Sequence, residues 1–184
     1  MKHNHTNKPP FPPWGSVESW QEANLSLDFL IKHHPKSLDK AKVIADNISL
    51  LYQRLSSPMS SLCGVTCNSC TSPCCPGARP YFDFKDLIFF HLSHTRPPEA
   101  QTIKEQADRC RYISIRGCTL PRLQRPWICT WYICSRQQPL LSSNREFAKI
   151  PYIIAEIKDL RGRLEDEFIL TVSPCSPKHL AKKT

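Results

Sequence analysis

The strongest hydrophobic pattern in the chain lies in residues 37–55, where apolar side chains recur at steps of three and four positions. That spacing predicts an amphipathic helix, because a turn of about 3.6 residues places such positions on one face. Ser37 is a candidate N-cap of this helix. Ser56, Ser57 and Pro58 predict its end, since proline disrupts a helix interior. We expect its apolar face to pack over the cysteine-rich segment that follows.

Downstream, Asp83 is the candidate N-cap of a second helix. The residues expected on its inner face are Phe84, Leu87, Ile88 and His91. His91 and His94 stand three positions apart, a spacing that permits a shared ligand. We expect these histidines to lie at the edge of the hydrophobic core instead, because the cysteines already supply enough metal ligands. Residues 99–108 are predicted to form a further helix that leads into Cys110.

The last predicted helix opens at Ser143-x-x-Glu146, which is a capping-box signature. Its inner positions would be Phe147, Ile150, Ile154, Ile157, Leu164 and Phe168. Pro151 either kinks this helix or occupies its first turn, where a missing N–H removes no helical hydrogen bond.

The segment 110–134 has weak helix signals. Residues 111–115 alternate in the manner of a strand, and Gly117 predicts a turn. Pro121 and Pro126 exclude a continuous helix in the loop that follows. The fold class is therefore predicted to be mainly α, a small helical domain with irregular cysteine-rich loops and little strand.

A length of 184 residues with 40% hydrophobic residues fits a single domain with a modest core. We predict three regions: an extended or disordered N-terminal arm and linker (1–36), a helical cysteine-cluster domain (37–172) and a flexible basic tail (173–184). The arm is assigned from its proline-rich, aperiodic start, and the tail from its polar and basic composition.

The chain has no apolar run long enough to cross a membrane, which takes about 18 residues or more. Its N-terminus lacks the basic-then-apolar pattern of a secretory signal. We therefore expect a cytoplasmic protein with no membrane association. In a reducing compartment, dense cysteines serve more often as metal ligands or redox centres than as disulfides. Disulfides would be the alternative in an exported chain, since the ten cysteines are even in number.

The formal charge is +9, from 25 lysine and arginine residues against 16 aspartate and glutamate residues. Metal-bound thiolates would add negative charge that this count ignores. A solvated basic surface accounts for most of the positive charge that the thiolates do not offset. The charge permits nucleic acid as a partner but does not require it. A basic, metal-stabilised module that binds nucleic acid is therefore a third alternative, for which no aromatic platform is evident. The expected partner is a metal ion or cluster, and no protein partner is indicated.

Cysteines dominate the candidate chemistry. Five of the ten lie in residues 63–75 and four more in residues 110–134. Cys175 stands apart in the predicted tail, where a spare thiol is expected. Two groups separated by a helix-sized segment are typical of thiolates that converge on metal.

Three known spacings match only in part. Cys63-x3-Cys67-x2-Cys70 has the spacing of the radical S-adenosylmethionine triad, but the repeated strand–helix units of that enzyme class are missing downstream. The run from Cys67 to Cys74 approaches a bacterial ferredoxin motif, but Cys75 stands where its proline should follow. A zinc ribbon needs two CxxC knuckles, and only Cys67 and Cys70 form one.

Residues 63–136 contain a longer series of features: Cys67-x2-Cys70-x3-Cys74-Cys75, Cys110, Gly117-Cys118 and Arg125-Pro126-x2-Cys129-x4-Cys134. Their order resembles the YkgJ-type cysteine-cluster family, whose members are described as zinc- or iron-chelating domains with eight characteristic cysteines. The helix led by Asp83 also resembles the one that follows the first cluster in that family. Thr66 and Pro73 stand where the family usually has an aromatic residue and a glycine, and Cys63 is additional.

The resemblance implies a metal-binding protein that holds zinc or iron, the latter as an iron–sulfur cluster, with a structural or redox role. The implied ligands are Cys67, Cys70, Cys74, Cys75, Cys110, Cys118, Cys129 and Cys134. Eight thiolates suit two four-coordinate centres or one larger cluster. Adjacent cysteines seldom bind the same ion without strain, so Cys74 and Cys75 would serve different metals. Arg125 is expected to donate to a cluster sulfur or to backbone carbonyl groups.

Part of this resemblance extends to flagellin lysine N-methylases. An iron–sulfur-dependent protein-modifying enzyme is therefore the alternative function. The sequence shows no glycine-rich cofactor loop that would favour it.

Overall fold

The computed structural model describes residues 12–67, 70–71, 74–114 and 117–173, and the fold that they form is mainly helical, as predicted. In chain order its elements are α1 (Val17–His33), α2 (Asp39–Cys67), α3 (Cys74–Gly77), α4 (Phe84–Leu92), β1 (Ile113–Ser114), β2 (Gly117–Cys118), a 3-10 helix (Arg122–Gln124), α5 (Ile128–Trp131), α6 (Gln138–Ser143) and α7 (Ile150–Val172). The two strands pair antiparallel, with Ile113 opposite Cys118.

The hydrophobic core lies mainly between the long helices α2 and α7, with α4 packed against both. The buried stripe of α2 consists of Ala41, Ala45, Ile48, Leu51, Tyr52, Leu55, Pro58, Met59, Leu62 and Thr66. Its steps of three and four residues confirm the predicted amphipathic helix. The helix begins at Asp39 and continues to Cys67, well past its predicted end.

Pro58 does not stop α2, because the apolar stripe continues beyond it. A proline inside a helix costs about 3 kcal/mol. Met59 and Leu62 are 2% and 0% exposed, and burying such a side chain contributes roughly 1.5–3 kcal/mol. The predicted end was therefore wrong, and the additional turns carry Cys63 and Cys67.

The N-terminal arm was predicted wrongly for residues 17–33, which form α1. Ser16 caps this helix, since its Oγ accepts a hydrogen bond from the N–H of Ser19 at 3.1 Å. Trp20 and Leu27 are buried, and Trp20 Nε1 donates to the carbonyl of Pro98 at 2.9 Å. These are the only buried side chains of α1, so the helix leaves little periodic signal in the sequence.

Residues 12–15 also belong to the folded domain. Gln101 Nε2 donates to the carbonyl of Pro13 at 2.9 Å. A Cβ atom added at Gly15 would collide with the carbonyl oxygen of Lys104. Glycine is therefore the residue that permits the two backbones to approach this closely.

The helix predicted over residues 99–108 is absent from the described structure, which has bends and turns there. Asp108 Oδ2 accepts the N–H groups of Lys104 and Glu105 at 3.1 and 2.9 Å. The buried Gln101 side chain bonds to the backbone of neighbouring segments. Polar side chains that satisfy backbone groups in this way compete with helix formation.

Helix α4 begins as predicted, with Asp83 as its N-cap. Asp83 Oδ1 accepts the N–H of Asp86 at 2.8 Å, and Asp86 Oδ2 accepts the N–H of Asp83 at 3.1 Å, which completes a capping box. His91 lies at the edge of the core, where its Nε2 bonds to Asn24 Oδ1 at 2.9 Å. Burial lowers the pKa of His91.

Helix α7 begins at Ile150 with Pro151 in its first turn, which confirms one of the two places predicted for this proline. The capping box predicted at Ser143 was wrong, because Ser143 is the last residue of α6. The buried residues of α7 are Ile150, Ile153, Ile157, Leu160, Arg161, Leu164, Phe168 and Thr171. The presence of an arginine on this stripe matters for the site described below.

Two predicted regions extend beyond the described residues. Residues 1–11 of the arm and 174–184 of the tail, which include Cys175, lie outside them. None of the described helices is long and apolar enough to span a bilayer.

We predict that Gly15→Ala lowers the free energy of unfolding by about 1–3 kcal/mol, because the added methyl group overpacks the contact with Lys104. Gly162→Ala is the matched control, since Gly162 lies inside α7 with open space around it. It should raise the same quantity by about 0.5–1 kcal/mol. Urea denaturation followed by circular dichroism measures both, and equal stability of the two variants would contradict the tight approach at residue 15.

Candidate metal centre

The cysteines of the described chain lie near the ends of secondary-structure elements. Their positions are Cys63 and Cys67 (end of α2), Cys70 (after α2), Cys74 and Cys75 (start of α3), Cys110 (before β1), Cys118 (β2), Cys129 (α5) and Cys134 (before α6). All nine are free thiols, and each is at least partly accessible to solvent. Thiols in this state are available as ligands.

The first cysteine group is organised by the last turns of α2. Cys63 and Cys67 lie one turn apart on the same face of α2, and their thiols are within electrostatic range of each other. Cys75 is within electrostatic range of both and of Cys74. Burial raises the pKa of Cys75 to about 11, and the neighbouring sulfur atoms add to this effect. Close packing of thiols therefore disfavours several thiolates at once unless positive charge is supplied.

The β1–β2 hairpin brings Cys110 and Cys118 together. Gly117, the first residue of β2, has φ +99°, a conformation that side chains rarely adopt. Burial raises the pKa of Cys110, and hydrogen bonds from the backbone N–H groups of Tyr112 and Ile113 oppose this shift. Hydrogen bonds of this kind to sulfur stabilise the thiolate that a metal requires.

Cys129 connects the two groups. Its thiol interacts electrostatically with Cys110 and Cys118 and also with Cys75. The surrounding protein desolvates the thiolate and raises the pKa of Cys129 to about 12, with further increases from these three cysteines, while Arg125 acts in the opposite direction. The two cysteine groups, distant in sequence, therefore lie near each other.

These thiols are neighbours, but they are not arranged as an assembled metal site. Within the described ranges, no group of three or more His, Cys, Asp or Glu side chains has the geometry to hold a metal ion. The eight-cysteine ligand set therefore stays a prediction. Its donor chemistry, an accumulation of thiols, is the kind that suits zinc and iron–sulfur clusters.

Two arginine side chains border the thiols. Arg125 Nε donates to the carbonyl of Leu120 at 3.0 Å, which is one of the two roles expected of it. Arg122, in the 3-10 helix, is only 9% exposed and lies within electrostatic range of Cys63. Burial lowers the pKa of Arg122, and Cys63 and Cys118 oppose that shift. The site thus contains positive charge beside sulfur.

Gln137 joins the two cysteine groups through hydrogen bonds. Its Oε1 accepts the N–H of Cys134 at 3.2 Å. Its Nε2 lies 3.3 Å from Thr66 Oγ1 and 3.8 Å from Cys63 Sγ. Since Gln137 is 5% exposed, these bonds form away from bulk solvent and fix the Cys134 turn against the end of α2.

A buried ion pair positions the loop that carries Cys129. Arg161 of α7 is 2% exposed, and its Nη1 and Nη2 donate to Asp86 Oδ1 at 2.7 Å and to Asp83 Oδ1 at 2.8 Å. The guanidinium also lies 5.2 Å from the centre of the Trp127 ring. Asp86 Oδ2 accepts the Trp127 N–H at 3.4 Å. Because Trp127 directly precedes α5, this pair determines where Cys129 is placed.

Comparison with known proteins finds no match among protein-family models, curated proteins or solved structures. The resemblance to the YkgJ-type family therefore stays a prediction.

Three residues of the site were not foreseen from the sequence. Arg161 had a usable signal, because it falls between Ile157 and Leu164 on the apolar stripe of α7, where a charged residue implies a buried partner. Arg122 and Gln137 lie in short irregular segments and had no such signal. Their roles depend on contacts between residues far apart in the chain.

We predict that Arg161→Met lowers the free energy of unfolding by about 3–5 kcal/mol, because it leaves the Asp86 carboxylate buried without its partner. Arg163→Met is the matched control on the same helix. Arg163 forms only an exposed pair with Asp159 at 3.8 Å, and its loss should change stability by less than about 1 kcal/mol. Urea unfolding measures the difference, and similar values for both variants would refute the anchoring role.

A second prediction concerns the link between the cysteine groups. Gln137→Ala should lower the free energy of unfolding by about 1–3 kcal/mol, because the N–H of Cys134 loses its buried partner. Gln138→Ala, at the adjacent exposed position, should change it by no more than about 0.5 kcal/mol. Equal stability of the two variants in thermal and urea unfolding would contradict a stabilising link between the cysteine groups through Gln137.

Proposed function

We propose that this protein binds zinc or iron, the latter as an iron–sulfur cluster, through thiolates drawn from both cysteine groups, and that the metal has a structural or redox role. The proposed ligands are Cys67, Cys70, Cys74, Cys75, Cys110, Cys118, Cys129 and Cys134. The observation that carries the proposal is the position of Cys129, whose thiol lies within electrostatic range of Cys110 and Cys118 from its own group and of Cys75 from the other.

The surroundings of the thiols support a bound cation or cluster. Arg122 and Arg125 border the cysteines, and the backbone near Cys110 opposes the rise that burial causes in its pKa. Donors directed at sulfur stabilise thiolates over thiols. Burial has the opposite effect on Cys75 and Cys129, so a metal that displaces their protons would resolve this conflict.

The short elements around the cysteines support a structural contribution from the metal. Helices α3 and α5 have four residues each, and the strands have two residues each. Elements this short are not stable by themselves. Binding of a structural zinc ion supplies on the order of 10 kcal/mol or more, which is enough to order such loops.

Elemental analysis of the full-length protein, purified without oxygen, tests this proposal. We expect more than one metal atom per chain if the eight cysteines form two centres, or iron with acid-labile sulfide if they form a cluster. A brown protein with visible charge-transfer absorption would identify iron–sulfur, and a colourless protein containing zinc would identify zinc.

Serine variants connect the metal to the two cysteine groups. Cys75→Ser and Cys129→Ser should each lower the metal content, because each removes a ligand from one group. Cys175→Ser is the matched control, since Cys175 belongs to neither group in the sequence. Metal-free protein from an anaerobic preparation, or full metal content in both ligand variants, would contradict the proposal.

A further inference from the structure

The positive charge of the chain is concentrated in residues 109–145, called the arginine segment below. This segment contains seven arginines and no lysine, histidine, aspartate or glutamate. It therefore carries +7 of the formal charge of +9 and leaves +2 for all other residues. Its arginines are Arg109, Arg111, Arg116, Arg122, Arg125, Arg136 and Arg145. An ordinary protein surface mixes charges of both signs, so a run of one sign and one residue type indicates a surface with a partner.

The described arginines of this segment fall into two sets. Arg122 is buried, and the half-buried Arg125 bonds to the carbonyl of Leu120, so both serve the interior. The members of the second set, called the exposed arginines below, are Arg109, Arg111, Arg136 and Arg145. They are absent from the ion pairs that the described residues form. Their guanidinium groups are therefore available to an anion from outside the chain.

Two aromatic rings are exposed in the same segment. Trp131, the last residue of α5, and Tyr132 are 43% and 47% exposed. Their ring centres lie 6.2 Å apart, with the planes inclined by 71°. Arg136 follows across a turn in which the N–H of Gln137 donates to the carbonyl of Cys134 at 2.9 Å. Exposed rings close to basic side chains are the combination by which proteins hold single nucleic-acid strands, because bases stack on the rings and phosphates bind the cations.

The rings and the exposed arginines belong to neighbouring elements. Cys129 of α5 lies within electrostatic range of Cys110, which directly precedes the β1–β2 hairpin region. Trp131 is two residues after Cys129, and Arg109 and Arg111 stand on either side of Cys110. The fold therefore brings arginines from one end of the segment towards the aromatic rings near its middle.

The short elements of the segment favour a single strand over a duplex. Base pairs of a duplex are read mainly by a helix or a β-ribbon that lies in the major groove. Here α5 and α6 have four and six residues, and neither carries a basic residue. The strands β1 and β2 have two residues each. A single strand needs no such element, because its bases are open to stacking.

We propose that the arginine segment binds single-stranded nucleic acid, with phosphates on the exposed arginines and bases stacked on Trp131 and Tyr132. Guanidinium groups suit this role, since their planar forks donate two parallel hydrogen bonds to a phosphate. The inference goes beyond the proposed metal binding, which would hold the short elements of the same segment in place.

Fluorescence anisotropy tests this inference on the full chain as purified without oxygen, with labelled oligouridine and oligodeoxythymidine of about 12 nucleotides. We expect both strands to bind, and a tighter complex with RNA would show that the 2′-hydroxyl is recognised as well. The slope of log affinity against log salt concentration should be about −3, because each of the four exposed arginines that neutralises a phosphate contributes about −0.7.

Competitors separate this surface from a general attraction to polyanions. A duplex of the same length, heparin and polyglutamate should each displace the labelled strand less effectively than the unlabelled strand does. Equal or better displacement by the duplex or by heparin would overturn the inference, as would the absence of binding to either strand. Better displacement by polyglutamate would overturn it in favour of an acidic protein partner.

Substitution of the ring tests the stacking. Trp131→Ala should weaken binding of the strand by about 5- to 150-fold, the usual effect of losing one stacked base. Trp131→Phe keeps an aromatic face and should recover most of that affinity. Tyr152→Ala is the matched control, since Tyr152 is 77% exposed on α7, outside the arginine segment. Equal affinity of Trp131→Ala and Tyr152→Ala would overturn the inference.

Substitution of an arginine tests the phosphate contacts. Arg136→Gln should weaken binding and reduce the magnitude of the salt slope by about 0.7. Arg54→Gln, at an exposed position of α2, should change neither quantity. An unchanged slope for Arg136→Gln would refute the role of this arginine. Elemental analysis of the same samples should give equal metal content in both variants, which keeps this result separate from that of the proposed metal binding.

Discussion

The ion pair between Arg161 and Asp86 is the interaction on which the arrangement of this protein depends. It joins α7 to the first turn of α4, and Trp127 adds the loop that leads to Cys129. Removing both charges from water is costly, and their attraction compensates only when geometry and additional hydrogen bonds are good. Here Asp83 and the Trp127 N–H provide those bonds. A pair of this kind fixes one relative position of three segments, which apolar packing alone would leave less defined.

The cysteine site is built at the margin of that fixed core. Helix α2 contributes a rigid edge at Cys63 and Cys67, whereas most of the remaining thiols are carried by very short elements. Gln137 and the two arginines connect these segments with hydrogen bonds and charge. If the proposed metal binds here, it would complete the folding of the short cysteine-bearing segments beside this rigid edge.

The elements with strong periodic or capping signals could be predicted from the sequence. The stripe of α2 and the Asp83 cap each depend on local chemistry. The predictions of secondary structure failed where contacts between residues far apart in the sequence determine the structure. Helix α1 buries only Trp20 and Leu27, and α2 passes Pro58 because residues beyond it join the core.

The candidate site could be predicted only as far as its cysteines. Their spacing indicated two groups that converge, and the interaction between Cys129 and Cys75 is consistent with that expectation. The supporting residues could not be predicted, because Gln137 contacts Cys63, and Arg122 comes within electrostatic range of it, from segments far along the chain. The identity of a metal depends on sulfur positions that spacing alone does not determine.

X-ray absorption spectroscopy at the zinc and iron edges, on protein purified without oxygen, tests the central claim most directly. The account predicts a metal whose inner shell consists of sulfur, at about 2.3 Å for zinc, with an iron–iron distance in addition if a cluster is present. An inner shell of oxygen and nitrogen, or the absence of both metals from folded protein, would contradict it.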